Sequence, residues 1–244
     1  MTIYKRRNER ASWAGETIGI LVLNNNYPYL PGNVQNATTY DYPVRYAEVH
    51  GATSDRLLYE ADPALVEPFV DAAKQLEADG VGAITGACGF MALFQHQLQA
   101  AVSIPVLASS LLQIPFIYAI TGKRIGVITA DSSCLKPEHF TGAGVSEDIP
   151  LAIGGMENNA AFVKAILNNG GELDDDAVCK GVVELARNLK NSHDDLGALL
   201  LECSDLPPYA HAIQSAVDLP VFDFITMIDY VHRSLRREPY QGYL

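Results

Sequence analysis

The chain contains an internal repeat, and each copy carries a cysteine at the same place. Residues 82–108 align without a gap on residues 197–223, with nine of the 27 positions identical at a constant offset of 115. Composition alone gives about two matches, since common residues each make up under a tenth of a typical chain. Residues 18–20 match residues 125–127 at an offset of 107. These matches predict two related halves, each contributing one thiol.

Short apolar runs alternate with amphipathic stretches throughout the chain. This alternation is typical of a parallel sheet covered by helices, and several of the runs are apolar on both faces, as buried parallel strands must be. We expect helices from Asp62-Pro63 to Gly80 and over residues 173–190, where apolar residues recur at helical spacing. The predicted strands are 17–23, 81–86, 104–108, 124–129, 149–153, 196–202 and 219–223.

The repeat and the alternation together predict an α/β fold of two pseudo-symmetric lobes. Each lobe is expected to be a short, mainly parallel sheet flanked by helices, with the active site in the cleft between the lobes. Four segments are predicted. They are a polar tail at 1–16, a first lobe at 17–109 with Cys88, a second lobe at 110–222 with Cys203, and a C-terminal helix at 223–244 that packs back on the first lobe.

Charge and composition exclude several classes of function. The 244 residues carry a net charge of −12, with 48% apolar and 19% charged residues. Nucleic acids and anionic membrane surfaces need a basic footprint, so we expect neither as a partner. A small-molecule substrate is the expected partner, and the sequence leaves a homo-oligomer open. No apolar run has the length of a membrane span or the form of a signal peptide, which predicts a cytoplasmic protein. The four cysteines have neither disulfide-framework nor zinc spacing, so no metal is expected, and the two-thiol chemistry described below requires no cofactor.

The segment 24–59 is rich in Asn, Tyr, Pro and Gly and shows little periodicity. It follows the predicted first strand, at the end where α/β sheets bind their ligands, so we interpret it as a lid or binding loop; a packed surface loop is the alternative. Asn24 at the strand end is a candidate substrate contact. Arg45 is the first cation of this segment and a candidate partner for an anionic group, with a surface salt bridge as the equal alternative.

Cys88 and Cys203 each follow a predicted strand and precede a predicted helix. Such a position favours the thiolate, because the helix dipole and free N–H groups lower the thiol pKa. If the lobes face each other, one sulfur lies on each side of a bound molecule. A thiolate could then remove an α-proton from one face while the opposite thiol protonates the other, as racemisation without a cofactor requires.

The residues that follow the two cysteines are candidates for holding the activated carbonyl group, with capping of the next helix as the alternative for Ser204 and Asp205. Ser109 is a further strand-end candidate. Cys134 and Cys179 are expected to be core filler, although Cys134 follows a strand and could line the site. The candidate substrate contacts are Asn24, Arg45, Gly89, Phe90, Ser109, Ser204 and Asp205.

The two thiols are expected to differ in acidity. Cys203 is flanked by Glu202 and Asp205, whereas the matched positions beside Cys88 are uncharged. Nearby negative charge disfavours a thiolate. We therefore predict that Cys88 is the more acidic thiol.

The motif Cys203-Ser204-Asp205-Leu206-Pro207, followed by residues 218–223, resembles the second catalytic segment of the aspartate/glutamate racemase superfamily, where Cys-Thr-Glu-Leu-Pro followed by a similar strand is typical. Cys88 falls where the first catalytic cysteine of that superfamily lies. The amino-acid racemases have Asn-Thr after that cysteine, where this chain has Gly89-Phe90. The resemblance implies a two-lobed fold and a pair of catalytic cysteines that work without pyridoxal phosphate.

The expected activity is that of an isomerase, a racemase or epimerase of a small carboxylate, amino acid or related carbonyl compound, with Cys88 and Cys203 as paired acid and base. The superfamily also includes hydantoin and allantoin racemases, maleate isomerase and arylmalonate decarboxylase. Cis–trans isomerisation or decarboxylation is therefore an alternative. A protein of another class, which binds a metabolite or senses redox state through a reversible disulfide, is a further alternative.

Overall fold

The computed structural model describes residue 3 and residues 12–243, and its strands form two separate parallel sheets. Residues 1–2 and 4–11 of the predicted polar tail lie outside the described residues. The strands are β1 (Ile18–Val22), β2 (Val44–Glu48), β3 (Ala83–Gly86), β4 (Val106–Leu107), β5 (Arg124–Thr129), β6 (Leu151–Gly155), β7 (Leu196–Leu201) and β8 (Val221–Phe222).

The two sheets have the same topology. The first has the strand order β2-β1-β3-β4 and the second the order β6-β5-β7-β8. Ile18 pairs with Ala83 in the first sheet, and Ile125 pairs with Ala198 in the second. These partners are related by the same offsets, 107 and 115, that relate the repeats in the sequence. The α/β fold with two pseudo-symmetric lobes is therefore confirmed.

Helices cover both sheets, as the apolar spacing predicts. The first one begins with a single 3-10 turn at Pro63, capped by the Asp62 side chain, and ends at Gly80 in the left-handed region at φ 96°. The helices are α1 (Val66–Asp79), α2 (Gln95–Ala101), α3 (Ile114–Thr121), α4 (Pro137–Gly142), α5 (Ala160–Phe162), α6 (Asp175–Ser192), α7 (Ala210–Val217) and α8 (Phe224–Leu235).

The segment 24–59 contains more regular structure than the sequence indicates. Residues 44–48 form β2, an edge strand that pairs in parallel with β1, and residues 55–59 form one helical turn. The strand was missed because its residues, Val-Arg-Tyr-Ala-Glu, are only partly buried and carry no apolar run. The prediction of one long loop is therefore wrong for these two stretches, and the irregular part of the segment is shorter.

The core is continuous between the two lobes. One apolar cluster contains Leu21 and Ile84 of the first sheet together with Val127 and Leu199 of the second. A second cluster lies on the other face of the first sheet, where β1 packs against Phe224, Met227 and Ile228 of α8. The C-terminal helix thus contacts the first sheet although it follows the last strand of the second. No helix among the described residues is long and apolar enough to cross a lipid bilayer.

Candidate active site

Cys88 and Cys203 line the same cavity between the two lobes. Each lies two residues beyond the end of a central strand, β3 or β7, and each precedes a short 3-10 turn that leads into a helix. Neither thiol is in a disulfide. Equivalent strand ends in two facing halves therefore place both sulfurs at one site, as the repeat predicts.

The cavity is small and mostly apolar. Its volume is about 30 Å³, which is room for one or two water molecules. A short-chain organic acid is larger than this, so the walls have to move apart when such a ligand binds. The lining residues are Leu23, Asn25, Tyr27, Ser54, Leu58, Ala87, Cys88, Gly89, Phe90, Ala130, Ile166, Leu167, Glu202, Cys203, Ser204 and Asp205.

Asp205 is the hydrogen-bonded partner of one thiol. The Cys203 Sγ donates to Asp205 Oδ2 at 3.5 Å, and the Tyr27 hydroxyl donates to the same oxygen at 3.1 Å. The Asn33 amide donates to the other oxygen, Oδ1, at 2.5 Å. Tyr27 and Asn33 belong to the first lobe and Asp205 to the second, so the segment after β1 fixes the carboxylate of the opposite lobe in place.

Glu202 is a second buried carboxyl group in the cavity. Its Oε2 accepts a hydrogen bond of 2.7 Å from the Thr129 hydroxyl, while its Oε1 has no hydrogen-bond partner among the described residues. The side chain is 0% exposed. Burial raises the pKa of Glu202 to about 7, and the Thr129 hydrogen bond opposes that rise. Glu202 is therefore divided between its neutral and ionised forms near neutral pH.

The pKa values of the two thiols differ from the prediction. Burial raises the pKa of both Cys88 and Cys203 well above its ordinary value, and the carboxyls of Glu202 and Asp205 raise both further. Backbone N–H groups of Phe90 and Asp205 act in the opposite direction but do not outweigh burial. The expectation of lowered pKa values is therefore wrong. Glu202 acts on Cys88 as well as on Cys203, which weakens the charge argument for a more acidic Cys88.

Close contacts between the lobes hold the two cysteine segments together. The Ser204 hydroxyl donates to the backbone oxygen of Ala87 at 2.7 Å. Gly89 lies directly against Glu202, since a Cβ added at Gly89 would lie 2.0 Å from Glu202 Oε1 and 2.5 Å from the Glu202 backbone oxygen. A side chain at position 89 would therefore collide with both the carboxyl group and the backbone that precedes Cys203.

The structure brings together only part of the predicted binding set. Gly89, Phe90, Ser204 and Asp205 line the cavity with the two cysteines. The other three candidates lie elsewhere. Arg45 is on β2, in ion pairs of 2.6 Å with Asp79 and 3.2 Å with Glu16, and it stacks on Trp13. Asn24 is exposed, and the Ser109 hydroxyl accepts a hydrogen bond from the Leu111 N–H as a helix cap.

Sequence analysis missed the residues that form the hydrogen bonds of the two carboxyl groups, which are Tyr27, Asn33, Thr129 and Glu202 itself. The position of Glu202 beside Cys203 was the available signal for that residue. Tyr27 and Asn33 belong to the segment interpreted as a binding loop, but nothing in its composition indicates which of its polar residues face the cleft. Thr129 ends β5, so only the sheet topology places it beside β7.

The remaining cysteines lie outside the cavity. Cys134 is 8% exposed and lies beside Asp131 and Ser133, and Cys179 is partly exposed on α6. Among the described residues, no group of three or more His, Cys, Asp or Glu side chains is placed to hold a metal ion.

Replacement of Glu202 by Gln is expected to stabilise the protein at high pH. The folded protein keeps the Glu202 proton up to about pH 7, whereas an exposed Glu loses it near 4.5. The folded state therefore binds more protons in this window, and the Glu202 contribution to stability falls as the pH rises through it. We expect the free energy of unfolding of Glu202→Gln, relative to that of wild type, to rise by about 2 kcal/mol between pH 5 and pH 8.

Urea unfolding of both proteins at pH 5 and pH 8 measures this difference. Asp223→Asn is a comparison variant at a buried carboxyl group that caps α8 outside the cavity; burial raises the pKa of Asp223 as well, so a pH-dependent gain of the same sign is expected there. An equal free energy difference between Glu202→Gln and wild type at both pH values would show that Glu202 is not held protonated.

Comparison with known proteins identifies relatives of two kinds by sequence. The family model for Asp/Glu/Hydantoin racemase matches residues 49–228. A dimethylsulfoniopropionate lyase from Durusdinium sp. clade D is 32% identical over 234 residues, which cover 93% of this chain and 77% of the relative. Dimethylsulfoniopropionate lyase 3 from Emiliania huxleyi strain CCMP1516 is 34% identical over 238 residues, and the chain spans only 61% of the length of that relative.

Solved structures share the fold at low sequence identity. Unliganded arylmalonate decarboxylase has a TM-score of 0.59 at 16% identity, with 93% of this chain and 96% of that one covered. A glutamate racemase isoform from Bacillus anthracis has a TM-score of 0.57 at 18% identity, with 91% and 85% covered. At these identities the structural comparison supports the fold alone.

Proposed function

The chain belongs to the Asp/Glu/hydantoin racemase family, and we propose that within it the protein is a lyase that cleaves 3-(dimethylsulfonio)propionate into dimethyl sulfide and acrylate. The observation that carries the proposal is the identity of 32% to a dimethylsulfoniopropionate lyase over 93% of the chain. The cavity supports it independently through its thiols, its charge and its lining.

The reaction is a β-elimination that needs one base. A thiolate takes a proton from the carbon next to the carboxylate, and the electrons of that C–H bond form the new C=C bond. The bond between the β-carbon and sulfur breaks, and its electron pair leaves with dimethyl sulfide. The products are acrylate, neutral dimethyl sulfide and a protonated cysteine, which returns its proton to solvent before the next turnover. No oxidant or reductant is required.

We assign the base to Cys203 because it has a proton acceptor in place. Its Sγ already donates to Asp205 Oδ2, and Tyr27 and Asn33 hold that carboxylate in a fixed orientation. A nucleophile or base paired with an oriented acceptor is the arrangement by which enzymes activate a weak acid. Burial keeps the thiol protonated in the free protein. A bound sulfonium cation opposes this effect, since a nearby positive charge favours the thiolate.

The charges around the cavity match a ligand that carries a positive group. Two carboxyl groups, Glu202 and Asp205, and two aromatic rings, Tyr27 and Phe90, line it, and no Lys, Arg or His does so among the described residues. Carboxylates and aromatic faces attract sulfonium and quaternary ammonium groups. The backbone N–H groups beside the cysteines are the available donors for the substrate carboxylate and for the charge that builds up on it.

Racemisation is the second candidate, and the presence of two thiols in one cavity favours it. It differs from elimination because it needs both cysteines, one as base and one as acid. A dicarboxylic amino acid would also bring negative charge next to Glu202 and Asp205 without a cationic side chain to receive it. This charge mismatch is why we place elimination first.

Release of dimethyl sulfide is the direct test. We expect the purified protein to convert 3-(dimethylsulfonio)propionate into equal amounts of dimethyl sulfide, measured by gas chromatography, and acrylate, measured by NMR. Incubation of aspartate, glutamate and 5-substituted hydantoins in D₂O is the matched assay for racemisation. Incorporation of deuterium at the α-carbon of one of these compounds, without dimethyl sulfide release from the sulfonium compound, would contradict the lyase and support a racemase.

A further inference from the structure

One buried polar atom at the cavity has no hydrogen-bond partner among the described residues, and the elimination mechanism does not use it. Glu202 Oε1 is fully buried and accepts no hydrogen bond among the described residues, while Oε2 accepts one from Thr129. Buried carboxyl oxygens are ordinarily paired, and leaving one unpaired costs about 1 to 3 kcal/mol or more. An unpaired buried carboxyl oxygen at a binding cavity is available to a positive group that arrives with the ligand, since such a group compensates its negative charge without donating a hydrogen bond.

The surroundings of Glu202 indicate the charge of that partner. The groups that face it are Thr129 of β5, the Cys88-Gly89 segment after β3, and Cys203 and Asp205 after β7. All of these are neutral or acidic. Asp205 has partners on both of its oxygens, so Glu202 is the carboxyl group of the pair that keeps a free oxygen.

We propose that Glu202 is the binding site for the positive group of the substrate, and that it selects compact onium groups, such as sulfonium or quaternary ammonium, over neutral groups of the same shape. The proposal rests on the lyase function and deepens it. Glu202 would contact the methyl groups that carry the positive charge, with Phe90 and Tyr27 forming the aromatic walls. In this role Glu202 determines specificity, while Cys203 and Asp205 move the proton.

A pair of probes of equal shape isolates the charge. They are 3-(trimethylammonio)propionate, which has a positively charged quaternary nitrogen, and 4,4-dimethylpentanoate, which has a neutral quaternary carbon in the same position. Inhibition constants or calorimetry give the affinity of each. We expect wild type to bind the ammonium probe about tenfold more tightly or better, as expected for a cation beside a buried carboxylate and aromatic rings. In Glu202→Gln, which keeps the shape and can still bond to Thr129, the preference for the ammonium probe should fall several-fold, to the part that the aromatic walls and Asp205 supply.

Asp205→Asn is the matched control for the second carboxyl group. We expect it to keep most of the preference for the ammonium probe, because Asp205 is already occupied by Tyr27 and Asn33. Loss of the preference in Asp205→Asn together with its retention in Glu202→Gln would overturn the proposal. Failure of wild type to prefer the ammonium probe, or to bind either probe, would also overturn it.

The wild-type protein alone provides a second test. The pKa of Glu202 is raised to about 7, so ionisation of Glu202 between pH 6 and pH 8 should tighten binding of the ammonium probe by up to about tenfold. The facing thiols of Cys88 and Cys203 and the Tyr27 hydroxyl have pKa values well above this range. Burial also raises the pKa of Asp205, the other facing carboxyl group, so Asp205→Asn is measured over the same pH range to separate its ionisation from that of Glu202. Binding of 4,4-dimethylpentanoate should not tighten. An ammonium affinity that is independent of pH would overturn the proposal even if Glu202→Gln did not fold.

These outcomes are separate from the test of the lyase itself. Dimethyl sulfide release by wild type, with equal probe preference in wild type and Glu202→Gln, would support the lyase and overturn the cation site. Preference that depends on Glu202, without dimethyl sulfide release, would overturn the lyase and leave the cation site supported.

Discussion

Cys203→Ser is expected to lower kcat/KM for dimethyl sulfide release by about 10³-fold, the usual contribution of a general base. A serine hydroxyl is a much weaker acid than a thiol, so it supplies almost no conjugate base at neutral pH. The change replaces one sulfur atom by oxygen in a cavity whose other contacts stay in place. Gas chromatography of the headspace over a substrate series measures the effect.

Cys88→Ser is the matched variant, because Cys88 occupies the equivalent strand end of the other lobe. Elimination needs one base, so we expect Cys88→Ser to stay within about tenfold of wild type. A loss of 10³-fold in Cys88→Ser with little change in Cys203→Ser would contradict our assignment and show that Cys88, in the other lobe, is the base. Equal and complete loss in both would contradict a mechanism with one base and favour the paired acid and base of a racemase.

Gly89→Ala is expected to damage both stability and activity. The added Cβ would lie 2.0 Å from Glu202 Oε1 and 2.5 Å from the Glu202 backbone oxygen. A change of side-chain rotamer at Glu202 can relieve the first contact but not the second, so the two cysteine segments have to move apart. Overpacking of this kind costs about 3 kcal/mol, or roughly 6 to 12 °C in melting temperature for a chain of this length.

Gly171→Ala is the control for the loss of a glycine as such, since Gly171 is exposed and no atom lies within 4 Å of its added Cβ. We expect a melting temperature within about 2 °C of wild type, because surface substitutions change stability by about 0.5 kcal/mol or less. Thermal unfolding and dimethyl sulfide release of both variants give the comparison. A Gly89→Ala protein as stable and active as Gly171→Ala would show that the two lobes are not held in this close contact.

The alternation of apolar runs and the internal repeat were sufficient to predict the fold. The offsets of 107 and 115 in the sequence reappear as the pairing of β1 with β3 and of β5 with β7. Central strands carry this signal because both of their faces are buried. The edge strand β2 carried none, since its residues are only partly buried and its pairing with β1 depends on a partner that lies distant in sequence.

The sequence predicted only those charged groups near each thiol that are its neighbours along the chain. Sequence proximity placed Glu202 beside Cys203, whereas the fold places it against Gly89 and the Cys88 segment as well. Burial then reversed the predicted direction of the thiol pKa values. A helix end favours a thiolate only where water or a cation also stabilises it, and the free cavity offers neither among its described lining residues.

The sequence by itself determined the two halves, their parallel sheets and the two strand ends that carry Cys88 and Cys203, because local periodicity and an ungapped repeat record these features along the chain. Only the tertiary structure decided which polar groups meet between the halves. Tyr27 and Asn33 reach Asp205 across 172 or more residues, and Arg45 is directed away into ion pairs with Glu16 and Asp79. Contacts of this kind depend on how two sheets pack, and side-chain packing between distant segments leaves no periodic signal in the chain.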